Sequence, residues 1–220
     1  MSRKLPIILV IGGHDPTGGA GIQKDIETIA SLNCHAVSLI TCLTSQNTQD
    51  FSLVNSVNPN VFVKQAKNLF SDVSIDVIKI GAIGSLKIAE KISDFLNSLK
   101  NIKVVLDPVI KTSSGGALIN KETIEGLKTL LFPKSFLITP NLNEAKSLSG
   151  EKNLKKALGI LFSYSPKYIL MKDSRREIAG MVSCRRDIED NKFNLLSINF
   201  CYRLFFRIKL RIYFPIKYCV

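Results

Sequence analysis

A glycine-rich segment near the N-terminus has the composition of a turn that holds a small ligand. Residues 12–21 read Gly-Gly-His-Asp-Pro-Thr-Gly-Gly-Ala-Gly, with five glycines in ten positions. Glycine lets a backbone approach a ligand closely, and a helix that begins after such a turn offers amide donors. The segment matches neither the dinucleotide-binding Gly-x-Gly-x-x-Gly pattern nor the Gly-Lys-Ser/Thr of a phosphate-binding loop. Its glycine content alone would also fit a plain flexible turn.

Polar side chains that suit phosphate and metal chemistry follow several apolar runs. Gln46, Asp107 and Lys172 each end such a run, and Asn141 and Glu144 follow another. A buried, unpaired amide costs about 1–3 kcal/mol, so Gln46 needs a ligand or a neighbouring partner. Carboxylates suit Mg²⁺, which usually binds one or two of them plus phosphates, and a lysine can pair with phosphates. As ordinary alternatives, Asp107 could cap a turn, Glu144 could complement a helix dipole, and Lys172 could be a solvated strand end.

Apolar runs that alternate with amphipathic stretches predict the elements that position these residues. The apolar runs are rich in Val and Ile, which is typical of parallel strands buried on both faces. The alternation predicts an α/β fold, a mostly parallel sheet with helices on both faces, and ligands bind such sheets at the carboxyl ends of the strands. The predicted strands are 6–11, 36–43, 76–81, 103–107, 135–139 and 167–172, and the predicted helices are 20–32, 59–70, 85–99, 121–131, 142–149 and 153–162.

Length and composition exclude several classes of protein. The chain has 220 residues, with 45% apolar and 22% charged residues, which is the balance of a globular protein rather than a disordered one. No apolar run approaches the roughly 18 residues that a membrane span needs. The apolar run 7–11 is too short for a signal-peptide core, so we expect a cytoplasmic protein. The five cysteines contain no Cys-x-x-Cys pair and are expected to be reduced thiols.

The net charge of +12 is concentrated at the C-terminal end. Residues 191–220 contain six Lys or Arg and no Asp or Glu, and no glycine follows Gly180. This change in composition suggests that the last part of the chain has a different origin from the rest. A basic, aromatic segment could bind RNA or an anionic membrane surface. An aromatic, cationic segment without a fold of its own is the simpler interpretation, and we expect neither nucleic acid nor membrane as a partner.

Five motifs, in order, resemble a known enzyme family. The chain resembles the hydroxymethylpyrimidine and phosphomethylpyrimidine kinases of thiamine biosynthesis, which belong to the ribokinase-like superfamily. The resemblance covers about three quarters of the chain, residues 5–172, and implies a three-layer ribokinase-like sandwich. The motifs are Asp-Pro-Thr-Gly-Gly-Ala-Gly at 15–21 with Ile-Gln-Lys-Asp at 22–25, Gln-Asn-Thr at 46–48, Lys-Ile-Gly-Ala at 79–82, Asp-Pro-Val at 107–109 followed by Thr-Ser-Ser-Gly-Gly at 112–116, and Asn-x-x-Glu at 141–144.

The resemblance implies a reaction and a set of site residues. The reaction is the ATP-dependent, Mg²⁺-assisted phosphorylation of 4-amino-5-hydroxymethyl-2-methylpyrimidine, with its monophosphate as a second candidate substrate. Family members often carry Met where Ala82 stands, which implies a roomier pocket here, and they are commonly homodimers. By resemblance, the pyrimidine is bound by Gly13, Ala20, Asp25, Gln46, Ala82 and Val109, the nucleotide by Asn141 and Lys172, and Mg²⁺ by Asp107 and Glu144.

The resemblance weakens after residue 172. The family follows the lysine with two glycines, where this chain has Asp173 and Ser174, and residues 173–220 contain no Gly-Thr-Gly-Cys or Gly-x-Gly-Asp loop. That loop stabilises the transferred phosphoryl group in the superfamily, so no catalytic residue is assigned. Cys184 and Cys201 lack the flanking glycines that would place a thiol at a helix N-terminus. We therefore divide the chain into a kinase core, 1–172, and a tail, 173–220, that a frameshift or truncation would explain.

Two other functions remain open from the sequence. Pyridoxal kinase acts on a ring that also bears a hydroxymethyl arm, although Gln-Asn-Thr after the second strand favours the pyrimidine. A non-catalytic protein that keeps the pyrimidine pocket without the phosphoryl-transfer loop is the other alternative.

Overall fold

A mixed sheet forms the centre of the described part of the chain. The computed structural model describes residues 5–112 and 115–172, together with the backbone of residues 180–183. The strands are β1 (Ile7–His14), β2 (His35–Gln46), β3 (Phe51–Ser56), β4 (Val77–Ile80), β5 (Lys103–Leu106), β6 (Leu137–Ile138), β7 (Tyr168–Lys172) and β8 (Gly180–Ser183). Their order across the sheet is β3-β2-β1-β4-β5-β6-β7-β8. Neighbouring strands are parallel except at the two edges, where β3 and β8 run antiparallel to β2 and β7.

Helices connect the parallel strands, and polar residues fix where most of them begin. They are α1 (Gly21–Ser31), α2 (Pro59–Asp72), α3 (Leu86–Asn97), α4 (Lys121–Gly126), α5 (Leu142–Ser149) and α6 (Leu154–Ser163). After α4 the chain continues through a π-helical turn, Leu127–Leu131, and a 3₁₀ turn, Phe132–Lys134. A capping oxygen satisfies one of the amides that a helix start leaves without a partner. Such a side-chain oxygen comes from Asn58, Ser85, Asn120, Asn141 and Asn153.

Apolar side chains cover both faces of the sheet. In β1, Ile8 and Val10 pack with Ile22 and Ile29 of α1 in a smaller core. The alternate residues of β1 belong to a larger core that includes apolar residues of α2, α3, α5 and α6. Because successive residues of a strand point to opposite faces, this division places helices on both sides of the sheet. The predicted three-layer α/β architecture is therefore confirmed.

The order of the strands reverses at β1. The chain passes from β1 to β2 on one side of it, and later returns to β4 on the other side. In open α/β sheets a crevice forms at such a switch point, outside the carboxyl ends of the strands. The turns that follow β1 and β4 meet there.

All six predicted strands and all six predicted helices are present, with ends shifted by a few residues. Two strands were not predicted, β3 and β8, and both are antiparallel strands at an edge of the sheet. With β8 the sheet continues beyond Lys172. Cys184, Cys201 and the basic segment 191–220 lie outside the described residues. In the part of the chain that the structure describes, no helix has the length and apolar character needed to cross a bilayer.

Candidate functional site

The glycine-rich turn after β1 folds around the carboxylate of Asp15. This side chain is only 5% exposed. Its Oδ1 accepts hydrogen bonds of 2.9 Å from both the amide and the hydroxyl of Thr17, and its Oδ2 accepts one of 2.9 Å from the amide of Ala20. Ala20 is the residue directly before α1, so the carboxylate joins the turn to the start of the helix. The sequence analysis did not select Asp15, although it lies within the first motif.

The hydrogen bonds at Asp15 hold it in the ionised form. Burial by itself raises the pKa of this carboxyl group, but the backbone and hydroxyl of Thr17 lower it. The side-chain amide of Gln46 and the backbone amide of Ala20 lower it further, and the pKa lies below its ordinary value. An ionised carboxylate only accepts hydrogen bonds, so the influence of Gln46 on this pKa comes from its NH₂ group. The side chain of the predicted pyrimidine ligand Gln46 therefore lies near Asp15 of the glycine-rich turn.

Three segments pack too closely at the switch point to allow larger residues. A Cβ atom at Gly13 would lie 2.9 Å from Sγ of Cys42 and 3.4 Å from Cβ of Ala82. Gly21 has a φ of +65°, and a Cβ there would lie 2.5 Å from the carbonyl oxygen of Gly13. The hydroxyl of Thr41 donates a 2.6 Å hydrogen bond to the carbonyl of Ala82. The predicted contacts Gly13 and Ala82 thus lie together between the ends of β1, β2 and β4.

Asp25 forms an ion pair that the sequence did not predict. Its Oδ2 lies 2.5 Å from Nζ of Lys79, and both side chains are 16% exposed. Lys79 lies on β4, and Asp25 lies in α1, which packs over that face of the sheet. A charged residue inside an otherwise apolar strand was the signal available in the sequence, since buried charges are normally paired.

A second group of polar residues lies at the ends of β5, β6 and β7. Nζ of Lys172 donates a 2.5 Å hydrogen bond to Oδ1 of Asp107, and these side chains are 34% and 18% exposed. The backbone amide of Lys172 donates to the carbonyl of Pro140, and Lys172 forms a β-bridge with Asn141. The predicted nucleotide ligand Lys172 and metal ligand Asp107 therefore contact each other directly.

Asn141 and Glu144 form a reciprocal cap at the start of α5. Oδ1 of Asn141 accepts from the amide of Glu144 at 2.9 Å, and Oε2 of Glu144 accepts from the amide of Asn141 at 2.7 Å. Glu144 is 9% exposed. This capping box satisfies two amides of the helix end and fixes both side chains. The backbone of Asn141, at the start of this cap, forms the β-bridge with Lys172.

The loop after β5 contacts the β2–β3 hairpin. A Cβ atom at Gly116 would lie 2.2 Å from a ring carbon of Phe51, so this ring fits only against a glycine. Val109 is half-buried in the same loop and packs against the larger core. Ser113 and Ser114 of the predicted glycine-containing loop lie outside the described residues.

Nine of the ten predicted site residues fall into two groups along the carboxyl ends of the strands, and Val109 lies in the loop after β5 outside both groups. The first group contains Gly13, Ala20, Gln46 and Ala82 near the turn after β1, together with Asp25, which pairs with Lys79 of β4. The second group contains the four residues predicted to bind nucleotide and metal, Asp107, Asn141, Glu144 and Lys172.

The second group contains oxygen atoms of the kind that Mg²⁺ prefers. The carboxylates of Asp107 and Glu144 are hard ligands, and Asn141 adds an amide oxygen. In the described residues there is no cluster of three or more His, Cys, Asp or Glu side chains that could enclose a metal ion. Since Mg²⁺ commonly binds through one or two carboxylates together with waters and phosphates, this donor set fits a metal that arrives with a nucleotide.

Solved structures show the same fold. Phosphomethylpyrimidine kinase from Clostridium difficile is 31% identical to this chain, with a TM-score of 0.72 over 83% of this chain and 81% of that one. Pyridoxal kinase from Staphylococcus aureus, in complex with pyridoxal, is 27% identical, with a TM-score of 0.74 over 84% of this chain and 70% of that one. The predicted ribokinase-like architecture is confirmed by these similarities.

Sequence comparison identifies the family. Hydroxymethylpyrimidine/phosphomethylpyrimidine kinase from Escherichia coli is 40% identical over 140 residues, which are 64% of this chain and 53% of that protein. The chain spans between 35% and 53% of the length of four curated relatives that it matches. The sequence profile of the phosphomethylpyrimidine kinase family matches residues 15–198. A match over this much of the chain shows that it belongs to the phosphomethylpyrimidine kinase family.

Proposed function

We propose that the protein binds 4-amino-5-hydroxymethyl-2-methylpyrimidine and takes part in its phosphorylation by ATP, with the monophosphate as a second substrate. The observation that supports this proposal most is the position of the first group of residues. Gly13 and Ala82 lie close together at the switch point, where a Cβ atom at Gly13 would be 3.4 Å from Cβ of Ala82, and Gln46 lies near Asp15 of the same turn. Ligands of open α/β sheets bind at that place.

The first group suits the edge of an aminopyrimidine. We propose that Gln46, which lies near Asp15, directs its NH₂ group to that carboxylate and its carbonyl oxygen to an exocyclic amine of the ligand. The glycines at positions 13 and 21 let the end of β1, the start of α1 and the turn after β4 pack closely, which brings backbone amides and carbonyls to the proposed pocket. We propose that Ala20, Asp25 and Val109 complete this pocket, as the family resemblance implies.

The second group suits the phosphates of a nucleotide. We propose that Lys172 moves from Asp107 to a phosphate oxygen when ATP binds, because a lysine pairs with a phosphate as a point charge. This movement would release the Asp107 carboxylate from Lys172, and we propose that Asp107 then holds Mg²⁺ near Glu144 and Asn141, as the family resemblance implies. The metal would neutralise charge on the phosphates. Because the capping box orients Asn141 and Glu144 in advance, little order has to be gained on binding.

Phosphoryl transfer also needs groups that the described residues do not supply. The hydroxymethyl oxygen forms a bond to the γ-phosphorus, the bond to the ADP oxygen breaks, and the hydroxyl proton passes to a base. The family resemblance places the stabilising amides on a Gly-Thr-Gly-Cys loop, which residues 173–220 do not contain. Loss of a single oxyanion donor lowers a rate by about 10²–10³. We therefore propose that the 220-residue chain binds the pyrimidine but transfers phosphate slowly.

A phosphotransfer assay tests this proposal. The purified chain is incubated with radiolabelled ATP, Mg²⁺ and the hydroxymethylpyrimidine, and the E. coli relative provides the positive control. We expect a product of the correct mass, formed at least about a hundredfold more slowly than by the relative. Turnover as fast as that of the relative would contradict the role given to the missing loop. If unrelated alcohols are phosphorylated and the pyrimidine is not, the proposal that the pyrimidine is the substrate is contradicted.

Pyridoxal is the second candidate substrate. The fold of S. aureus pyridoxal kinase superposes on this chain as well as that of the C. difficile phosphomethylpyrimidine kinase does. The small side chain of Ala82 also leaves room beside the ring. The same assay with pyridoxal separates the two substrates, and we expect the pyrimidine to be preferred. A preference for pyridoxal would contradict the pyrimidine as the main substrate and would favour pyridoxal instead.

We also propose that the protein forms a homodimer. Leu43 and Leu53 are 48% and 56% exposed. Leu43 and Ser45 are two residues apart on β2 and therefore lie on the same face of that strand. Ser45 pairs with Leu53 of β3, so both leucines lie on the same face of the β2–β3 hairpin. Sedimentation equilibrium should give twice the mass of the chain, and Leu43→Glu should give the mass of one chain. A single-chain mass for the unmodified protein would contradict the proposal.

A further inference from the structure

Lys79 is a charged residue at a position where the sheet is otherwise apolar. The other three residues of β4, Val77, Ile78 and Ile80, are buried and apolar. Lys79 pairs with Val10 of β1, a central strand of the sheet. Lysine is seldom buried, because removing its charge from water is costly without a partner. Its presence in β4 therefore requires an explanation.

The partner of Lys79 is Asp25. Nζ lies 2.5 Å from Oδ2, and each side chain is 16% exposed. Replacement of a buried ion pair by apolar residues of similar size is often neutral or stabilising. Stability alone therefore does not account for two charges between α1 and the sheet.

The ammonium group of Lys79 lies near the carboxyl end of β4. A Cβ atom at Gly81 would lie 3.1 Å from Nζ of Lys79, so the lysine side chain extends along β4 to that end. The next residue, Ala82, is near the pocket glycine, since a Cβ atom at Gly13 would lie 3.4 Å from Cβ of Ala82. The absence of a side chain at Gly81 leaves the space that the ammonium group occupies.

One oxygen of Asp25 lies outside this ion pair. Oδ2 accepts the hydrogen bond from Lys79, and within the described part of the chain Oδ1 has no hydrogen-bond partner. A carboxylate held at one oxygen by a lysine has a fixed orientation, so its second oxygen can accept from a ligand without a further loss of rotational freedom.

We propose that Lys79 is a positioning residue that orients the carboxylate of Asp25 to accept a hydrogen bond from the aminopyrimidine. This inference rests on the proposed function, since it concerns the same pocket. It adds a residue, Lys79, for which the sequence analysis gave no role. On this proposal, the preference of Asp25 for an amino or hydroxyl group of the ligand depends on its ion pair with Lys79 and not on the carboxylate alone.

Calorimetric titration of the full chain with 4-amino-5-hydroxymethyl-2-methylpyrimidine tests the inference. We expect Lys79→Met and Lys79→Gln to weaken binding by about ten- to one-hundredfold, the range of a hydrogen bond to a charged group. Lys79→Arg keeps the charge and should retain most of the affinity. Lys24→Met, which removes an exposed lysine of α1, is the matched control and should bind as the unmodified chain does.

A stability measurement separates positioning from folding. The double variant Asp25→Leu/Lys79→Met removes both charges, and we expect it to unfold at a urea concentration close to that of the unmodified chain while binding no pyrimidine. Wild-type affinity in Lys79→Gln would overturn the role of Lys79. Unfolding of the double variant would assign the pair to stability and would also overturn it. If the unmodified chain itself binds no pyrimidine, the proposed function fails first, and the inference fails with it.

Discussion

Carboxylates at the carboxyl edge of this sheet are oriented by specific donors, and Asp15 shows the effect most fully. Amide and hydroxyl groups from Thr17, Ala20 and Gln46 surround it. None of these donors is an ammonium or guanidinium group. Hydrogen bonds to the charged form stabilise the folded chain only while the carboxyl group is ionised.

Asp15 should make stability depend on pH in acid. Its pKa in the folded chain is lower than its ordinary value of 3.8. Its contribution is therefore complete above about pH 4 and is lost as the pH falls through the lower, folded-state pKa. We predict that Asp15→Asn lowers the free energy of unfolding by about 1–3 kcal/mol at pH 7. Urea unfolding from pH 7 to pH 2 should show the two proteins converging in acid, and a constant difference would contradict the prediction.

Lys172 provides a test of the nucleotide end of the site. We predict that Lys172→Met weakens binding of MgATP about tenfold, the effect of one charge-assisted contact, and leaves pyrimidine affinity unchanged. Fluorescence titration with a labelled ATP analogue measures the first and calorimetry the second. Lys167→Met removes an exposed lysine at the opposite end of β7 and is the control. Equal MgATP affinities in the unmodified chain, Lys172→Met and Lys167→Met would contradict a role of Lys172 in nucleotide binding.

The site residues show what the sequence could and could not predict. The apolar pattern of buried parallel strands placed Gln46 and Asp107 at strand ends, and the Asn-x-x-Glu motif placed Glu144 in the first turn of a helix. The partners Asp15 and Lys79 were not predicted. An ion pair between α1 and β4 joins residues 54 positions apart, and its geometry depends on tertiary packing that one sequence does not display.

At the scale of elements, close packing between β1, β2 and β4 fixes the shape of the pocket. We predict that Gly13→Ala destabilises the chain by about 1–3 kcal/mol, because the new methyl group would overlap Sγ of Cys42. Burial raises the pKa of the Cys42 thiol, so this group is a neutral packing atom. Cys42→Ala in the same chain removes the overlap and should restore part of the loss. Thermal unfolding of the two single variants and the double variant measures these changes in stability. If the loss in the double variant equals the sum of the two single losses, the predicted overlap between position 13 and Cys42 is contradicted.

The strands that sequence analysis missed are both at an edge. β3 has the residues Phe-Ser-Leu-Val-Asn-Ser, with every position half-buried or exposed, so the continuous apolar run that marked the central strands is absent. β8 follows Lys172, where the strand–helix alternation ends. Edge strands bury less apolar surface, and their sequences are correspondingly less distinctive. The helix predicted over 121–131 was correct in extent but changes to a π-helical turn at Leu127.

At the scale of the whole molecule, the family resemblance and the change in composition overlap. The match to the family extends to residue 198, and the sheet continues to Ser183, whereas the basic and glycine-free segment begins soon after Gly180. The division at residue 172 and the frameshift remain predictions. Sequencing the gene from codon 173 tests them: a Gly-Thr-Gly-Cys sequence in another reading frame would support the frameshift, and a single intact frame with full activity would contradict it.

A calorimetric titration of the purified 220-residue chain with 4-amino-5-hydroxymethyl-2-methylpyrimidine, in parallel with Gln46→Ala, is the most direct test of a pyrimidine pocket at the switch point. The account predicts saturable binding with one site per chain, and at least a tenfold loss of affinity when the Gln46 amide is removed. A folded chain that releases no heat of binding, or a Gln46→Ala variant with unchanged affinity, would contradict it.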